Sequence, residues 1–170
     1  MQESTNCRSS VHSIANVGKS YVAIGVRSGA PQPDISTVEK LKAALLAAKS
    51  ISYADPAKGG ASGVYFAKVV DRLGIADQMK SKTVLVPGAQ AGELVAKGEV
   101  EMGVAQASEI AAVPGTQVVG PLPGDLHIEM IFSVGIGSMS KDPAAAKSLI
   151  ELLTSPTGAA VLKSKGMDPV

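Results

Sequence analysis

Three short stretches carry side chains and backbone suited to holding a small anion. The first, Asp55-Pro-Ala-Lys-Gly-Gly-Ala-Ser-Gly63, places glycines at 59, 60 and 63 around Ser62, between a strand pattern and a helix pattern. Gly60 and Gly63 let the backbone approach a ligand closely. The unsatisfied N–H groups of a helix start, with the helix dipole, favour negative charge, and the Ser62 hydroxyl can donate as well. The plainer reading is equally open: Ser62 caps its helix and the glycines only turn the chain. The second stretch, Val86-Pro-Gly-Ala-Gln90, again puts Gly88 and Ala89 between strand and helix, with the Gln90 amide as a possible donor, or else forms an ordinary turn. In the third, Ala105-Gln-Ala-Ser108, Gln106 ends an apolar strand, projecting an amide into a crevice or lying on the surface.

No arrangement for covalent catalysis stands out: neither a nucleophile elbow nor a Walker loop is present, and no catalytic residue is assigned. Asp55 and Glu109 form a carboxylate pair only if the fold joins them, and Asp55 before Pro56 reads as a turn former. His127 and Glu129 read as strand surface. Cys7 is the sole cysteine, and His12 and His127 are far apart, so neither a disulfide within the chain nor a metal site built from three or four converging ligands is expected. No cofactor is implied.

The elements that would position these residues alternate. Met1–Lys19 reads as an irregular head. Ser20–Arg27 alternates as a strand, and Ser28–Asp34 is a Pro-rich loop. Ser36 with Glu39 has capping-box spacing and opens a helix through Leu41, Leu45 and Leu46 to about Ala48. Ser50–Ala54 is a short strand. Ser62 opens a helix over Gly63–Leu73, which Gly74 terminates. Thr83–Val86, Glu101–Gln106 and Gln117–Val119 read as strands, with helices over Ala89–Lys97 and Ala107–Ala111. His127–Ile136 is a longer strand. Pro143–Leu153, capped by Asp142, and Pro156–Ser164 are closing helices. Strands alternating with helices imply parallel pairing in an α/β sheet covered on both faces. Ligands of such sheets bind beyond the carboxyl ends of the strands, where all three stretches fall.

Composition narrows the function classes. Of the 170 residues, 45% are hydrophobic and 18% charged, which suits a folded chain rather than a disordered one. With aromatics at 3% and no Trp, the core must come from Ala, Val, Leu and Ile. A formal charge of +1, with no basic cluster and few rings to stack on bases, argues against nucleic acid as a partner. No run of eighteen apolar residues is present to form a membrane-spanning helix. Met1–Ser10 is polar and has no apolar h-region, so no secretory leader is expected within this chain.

The order of motifs resembles the second lobe of molybdate-binding-like periplasmic solute-binding proteins, which have the type II periplasmic-binding-protein fold. The resemblance rests on Asp55-Pro-x-x-Gly-Gly-x-Ser-Gly63, Tyr65-Phe-Ala-Lys68, Leu73-Gly74 and Gly92–Gln106. It continues in Asp142-Pro-Ala-Ala-Ala-Lys-Ser-Leu-Ile150, Leu153-Thr-Ser-Pro-Thr-Gly158 and Lys165-Gly-Met167, and covers about Tyr21–Val170. It implies an α/β fold with one complete lobe, a parallel-rich sheet flanked by helices, together with hinge strands and the C-terminal helices of an incomplete other lobe. The expected division is an irregular head over 1–19, a ligand-binding lobe with the outgoing strand over 20–130, and a return strand with closing helices over 131–170. The family's opening half-lobe has no counterpart in Met1–Lys19, so an N-terminally truncated member is expected, and an inactive fragment is one outcome.

The resemblance further implies a periplasmic protein that binds a small anion and delivers it to an ABC-type membrane permease. The ligand positions would be Gly60, Ser62, Gly63, Gly88, Ala89, Gln90 and Gln106. Molybdate binders carry Tyr where Gln106 stands. Relatives with Gln there are similar to aconitate isomerase, which points to an organic carboxylate and keeps an isomerase of small tricarboxylates as the second reading. A cytosolic effector-sensing domain of the LysR type is a third, opposed by the lack of a DNA-binding helix. Without the half-lobe the closing helices would expose Leu149, Leu152 and Val161, so a dimer or a complementing partner is expected.

Overall fold

The computed structural model describes residues 11–170. Cys7 and most of the polar head lie outside the described residues. The chain forms two compact units, Ser20–Met130 with Lys165–Met167, and the described part of Met1–Lys19 with Ile131–Ser164 and Asp168–Val170.

The larger unit holds the mixed sheet that the alternating sequence requires. Strand β1 spans Val11–Arg27, β2 Ile51–Ala54, β3 Thr83–Val86, β4 Met102–Gln106 and β5 Thr116–Pro121, and their order is β3-β2-β4-β1-β5. β2 is parallel to both neighbours, with Tyr53 opposite Leu85 on one side and Val104 on the other. β1 runs antiparallel to β4 and β5, so expected parallel pairing holds only for β2, β3 and β4. β1 enters the sheet without a preceding crossover helix, and only such crossovers enforce parallel pairing.

Alternation along the strands sorts side chains onto two faces. Val22, Ile24, Met102 and Val104 join Leu41 and Leu45 of helix α1 (Val38–Ala47) and Phe66, Val69 and Val70 of α2 (Ala61–Arg72) in the main core. On the other face Ala23 and Ala105 pack with Ala91 of α4 (Ala91–Lys97) and with Ala107 and Ile110 of α5 (Ala107–Ala111). That second layer is built from small residues because the helices lie close. A Cβ on Gly103 would come within 2.8 Å of Val95, and one on Gly25 within 2.7 Å of Ile110.

Several boundaries differ from expectation for local reasons. The head is not irregular after residue 10, since Val11–Lys19 belongs to β1 and finds backbone partners in β6 (Glu129–Gly137) and β7 (Asp168–Pro169). Thr37, not Ser36, caps α1: its hydroxyl accepts from the Lys40 amide at 3.2 Å. Hydrogen bonds at its own backbone and from Thr37 hold the Glu39 carboxyl below its ordinary range. Leu46 falls outside the apolar stripe and is exposed. A five-residue helix, α3 (Ala76–Lys80), follows the Gly74 terminator.

In the smaller unit, α6 (Pro143–Leu153) starts as expected at Asp142, whose carboxylate accepts from the Ala145 amide at 2.9 Å, with Pro143 at the first turn. α7 spans Pro156–Ser164. Neither helix has a buried residue, and Leu149, Leu152 and Val161 are each more than half exposed (54%, 56% and 55%). Among the described residues no helix is long and apolar enough to cross a membrane.

Candidate functional site

The carboxyl ends of β3, β2 and β4 lie side by side, and each leads directly into one of the stretches singled out above. Ala54 closes β2 opposite Val86, and continuing the β2–β4 register sets Asp55 level with Gln106. The Asp55 amide donates to the Val86 carbonyl at 2.8 Å, which ties the first two ends together. The Asp55 carboxylate accepts from the Ala57 amide at 3.0 Å, and Glu109 accepts from the Gln106 amide at 3.1 Å. Both acids are thus committed to shaping their own turns.

The start of α2 is pressed against the end of β2. The chain leaves Asp55 through a single 3-10 turn, Pro56–Lys58, and reverses at Gly59, whose φ of 86° suits glycine. Gly60 then takes the N-cap position of α2, so Ser62 lies inside the first turn rather than capping it. A Cβ on Gly60 would come within 2.7 Å of the Ala54 Cβ. One on Gly63 would run into the Ala54 carbonyl oxygen and sit 2.9 Å from the Ala54 Cβ. Glycine is therefore required here by backbone packing. Ser62 between them is 5% exposed, and its hydroxyl has no hydrogen-bond partner among the described residues. Gly60 supplies no side-chain cap either, so the first-turn amides have no side chain satisfying them from the cap position.

The other two junctions are more fully occupied by protein. Pro87–Gln90 is an exposed turn with Gly88 at φ 57°, and Gln90 holds the N-cap position of α4 without a side-chain cap. Ala89 and Gln90 border a depression of about 390 Å³ shared with Ser108 and Glu109. Glu93 and Glu109 line the same hollow, and two carboxylates disfavour an anion in it. At the start of α5 the Ser108 amide donates to the Ser20 hydroxyl at 3.3 Å. Ser20 is 2% exposed and was not legible as a site residue, since a serine opening a strand gives no pattern of its own.

Gln106 belongs with the α2 side. Its place on β4, two residues after Val104, gives it the same face as Met102 and Val104, the face that α2 covers. Its side chain forms a capping box with Glu109 at the start of α5, and its side-chain oxygen is buried from solvent. The structure thus brings Gly60, Ser62 and Gly63 together on Ala54 and sets Gln106 on the neighbouring strand end. It sets Gly88, Ala89 and Gln90 on the opposite side of β2.

Two further contacts brace this end of the sheet. The buried Ser52 hydroxyl donates to the Ala91 carbonyl at 3.1 Å, holding the first turn of α4 to β2. Tyr65 on α2 donates to the Leu126 carbonyl at 3.1 Å. Tyr53 packs edge-on against Phe66, with ring centroids 5.2 Å apart. Burial, then the nearby charges of Asp71 and Asp55, push its phenol above the ordinary value and keep it protonated. His127 is exposed and lies beside the Tyr21 ring at 5.9 Å. No group of three or more His, Cys, Asp or Glu side chains is placed to hold a metal among the described residues.

Comparison with known proteins agrees with this architecture. Aconitate isomerase from a Pseudomonas species is 35% identical over 156 residues, which cover 91% of this chain and 58% of the relative. The molybdate-binding protein ModA of Azotobacter vinelandii is 33% identical over 124 residues, 69% of this chain and 48% of the relative. The chain therefore spans about half the length of the curated relatives it matches. Among solved structures, the Azotobacter vinelandii periplasmic molybdate-binding protein superposes with a TM-score of 0.69 at 16% identity, over 92% of this chain and 68% of that one, a likeness of fold alone. The model for the bacterial extracellular solute-binding protein family matches residues 4–168, nearly the whole chain, and the chain belongs to that family.

Proposed function

We propose that this chain is the ligand-holding part of a periplasmic solute-binding protein that takes a small anion, an oxyanion or an organic carboxylate, and serves an ABC-type membrane permease. The observation that carries the reading is the start of α2. Gly60 and Gly63 sit against Ala54, the buried Ser62 has no hydroxyl partner among the described residues, and the helix is twelve residues long, so its dipole is well developed. An anion there needs no neutralising side-chain charge, because backbone amides and hydroxyls meet it. Gly60, Ser62, Gly63 and Gln106 are its first contacts, and Gly88, Ala89 and Gln90 border it from the β3 side.

A thermal-shift screen of molybdate, sulfate, citrate and cis-aconitate tests this. A ligand held at a hundred times its Kd adds about 2.7 kcal/mol to stability, a clear rise in melting temperature. Selective stabilisation by one anion supports the reading. No stabilisation by any of them contradicts it and favours an inactive fragment.

The 35% identity to an aconitate isomerase favours a second reading, an isomerase of small tricarboxylates on the same scaffold. Incubation with cis-aconitate, followed by NMR for the trans isomer, separates the two. The exposed Leu149, Leu152 and Val161 support a third element of the proposal, self-association through the smaller unit. Sedimentation as a dimer would agree with it, and a clean monomer at all concentrations would refute it.

A further inference from the structure

We infer that two copies of this chain join edge to edge through β6, antiparallel about Ser133, so that their smaller sheets become one. The inference rests on the self-association proposed above and goes beyond it in naming the strand that makes the joint. Among the described residues β6 pairs with β1 alone, so its other edge presents a row of N–H and C=O groups that no strand takes up. Protected edges are short, charged, bulged or interrupted by proline. The nine residues of β6 contain no proline, and their only charge is Glu129 at one end. Ile131 is 59% exposed and Phe132 39% exposed.

The order of residues along β6 says what fits that edge. In an antiparallel pair, residues directly opposite one another share a face and interact as pairs. Full overlap of Glu129–Gly137 with its own copy sets Ser133 against Ser133. Phe132 of one copy then faces Val134 of the other, an aromatic on a β-branched side chain, and the pair recurs across the twofold axis. Ile131 faces Gly135, large against small, and the two Glu129 carboxylates fall at opposite ends. The strand is therefore self-complementary, as an isologous twofold contact requires. Leu149, Leu152 and Val161 add exposed apolar area in the same unit but no backbone groups that would fix a partner's direction.

The test is sedimentation of the 170-residue chain over a range of concentrations, with charges placed at the proposed axis. The parent should form a dimer. Ser133 is exposed, so Ser133→Lys and Ser133→Glu should each fold. Alone, each should weaken the dimer roughly tenfold or more, because like charges then face each other across the axis. An equimolar mixture of the two should associate at least as tightly as the parent. Hydrogen exchange needs no variant: backbone amides within 131–135 should gain protection as the parent is concentrated into its dimer. A dimer that survives Ser133→Lys in a folded protein, no recovery in the mixture, or a dimer whose 131–135 amides exchange as in the monomer overturns the inference alone. A clean monomer at all concentrations overturns it together with self-association and leaves the edge to a strand of another chain.

Discussion

Gly63→Ala is the substitution that interrogates the site's construction most sharply. In an ordinary helix interior, alanine is favoured over glycine by about 1 kcal/mol. Here the added methyl would lie 2.7 Å from the Ala54 carbonyl carbon and 2.9 Å from its Cβ. Carbon atoms pack best at about 3.5–4.0 Å, so α2 and the end of β2 must part by roughly 1 Å. The obstacle is backbone, which cannot swing aside as a side chain would. Overpacking of this kind costs about 1–3 kcal/mol and cancels the gain in helix propensity. Adding the displaced first turn, we expect a net loss of about 1–2 kcal/mol, or a melting temperature lower by about 2–8 °C for a chain of this size. Thermal unfolding followed by circular dichroism measures it. Gly137→Ala is the control, because a Cβ there meets nothing within 4 Å, and it should change stability by less than about 0.5 kcal/mol. A Gly63→Ala protein as stable as the parent, or more so, would refute the close approach of α2 to β2.

Other substitutions separate binding from folding. Ser62→Ala removes no protein hydrogen bond among the described residues, so stability should hold within about 0.5 kcal/mol while anion-induced stabilisation falls; an unchanged response to anions would count against Ser62 as a contact. Ser52→Ala deletes the donor to Ala91, and urea titration should show a loss of about 0.5–1.5 kcal/mol, the net worth of one hydrogen bond. Asp142→Ala removes the cap of α6 and should cost about 0.5–2 kcal/mol, read as a lower denaturation midpoint. Phe66→Ala empties the centre of the main core and should cost about 3–5 kcal/mol, enough to leave the larger unit largely unfolded on warming.

Much of this architecture was written in local pattern. The strands over 51–54, 83–86 and 102–106 are short apolar runs bounded by turn residues. Gly74 stops its helix in the left-handed conformation for which glycine was read, and Gly98 ends α4 in the same way. The failures have a common cause in distant partners. The first half of β1 shows weak alternation and is a strand because β6 and β7 pair with it; the Ser133–Asn16 hydrogen bond joins residues 117 apart in sequence. The antiparallel course of β1 depends on register that no single segment encodes. α3 is too short for helical periodicity to register. At the site, residue types were legible and roles shifted. Ser62 was read as a possible cap because serine commonly caps, yet the close fit to Ala54 gives that position to Gly60. Gln106 ended its strand as read, but its buried oxygen became visible only once the α2 face was known.

The measurement that bears most directly on the central claim is amide chemical-shift mapping of the 15N-labelled chain during anion titration. If the start of α2 receives the ligand, the backbone amides of Gly60, Ala61, Ser62 and Gly63 and the side-chain amide of Gln106 should shift together and saturably, while those of α6 and α7 stay in place. Saturable shifts confined to other residues, with these five signals unmoved, would contradict the account.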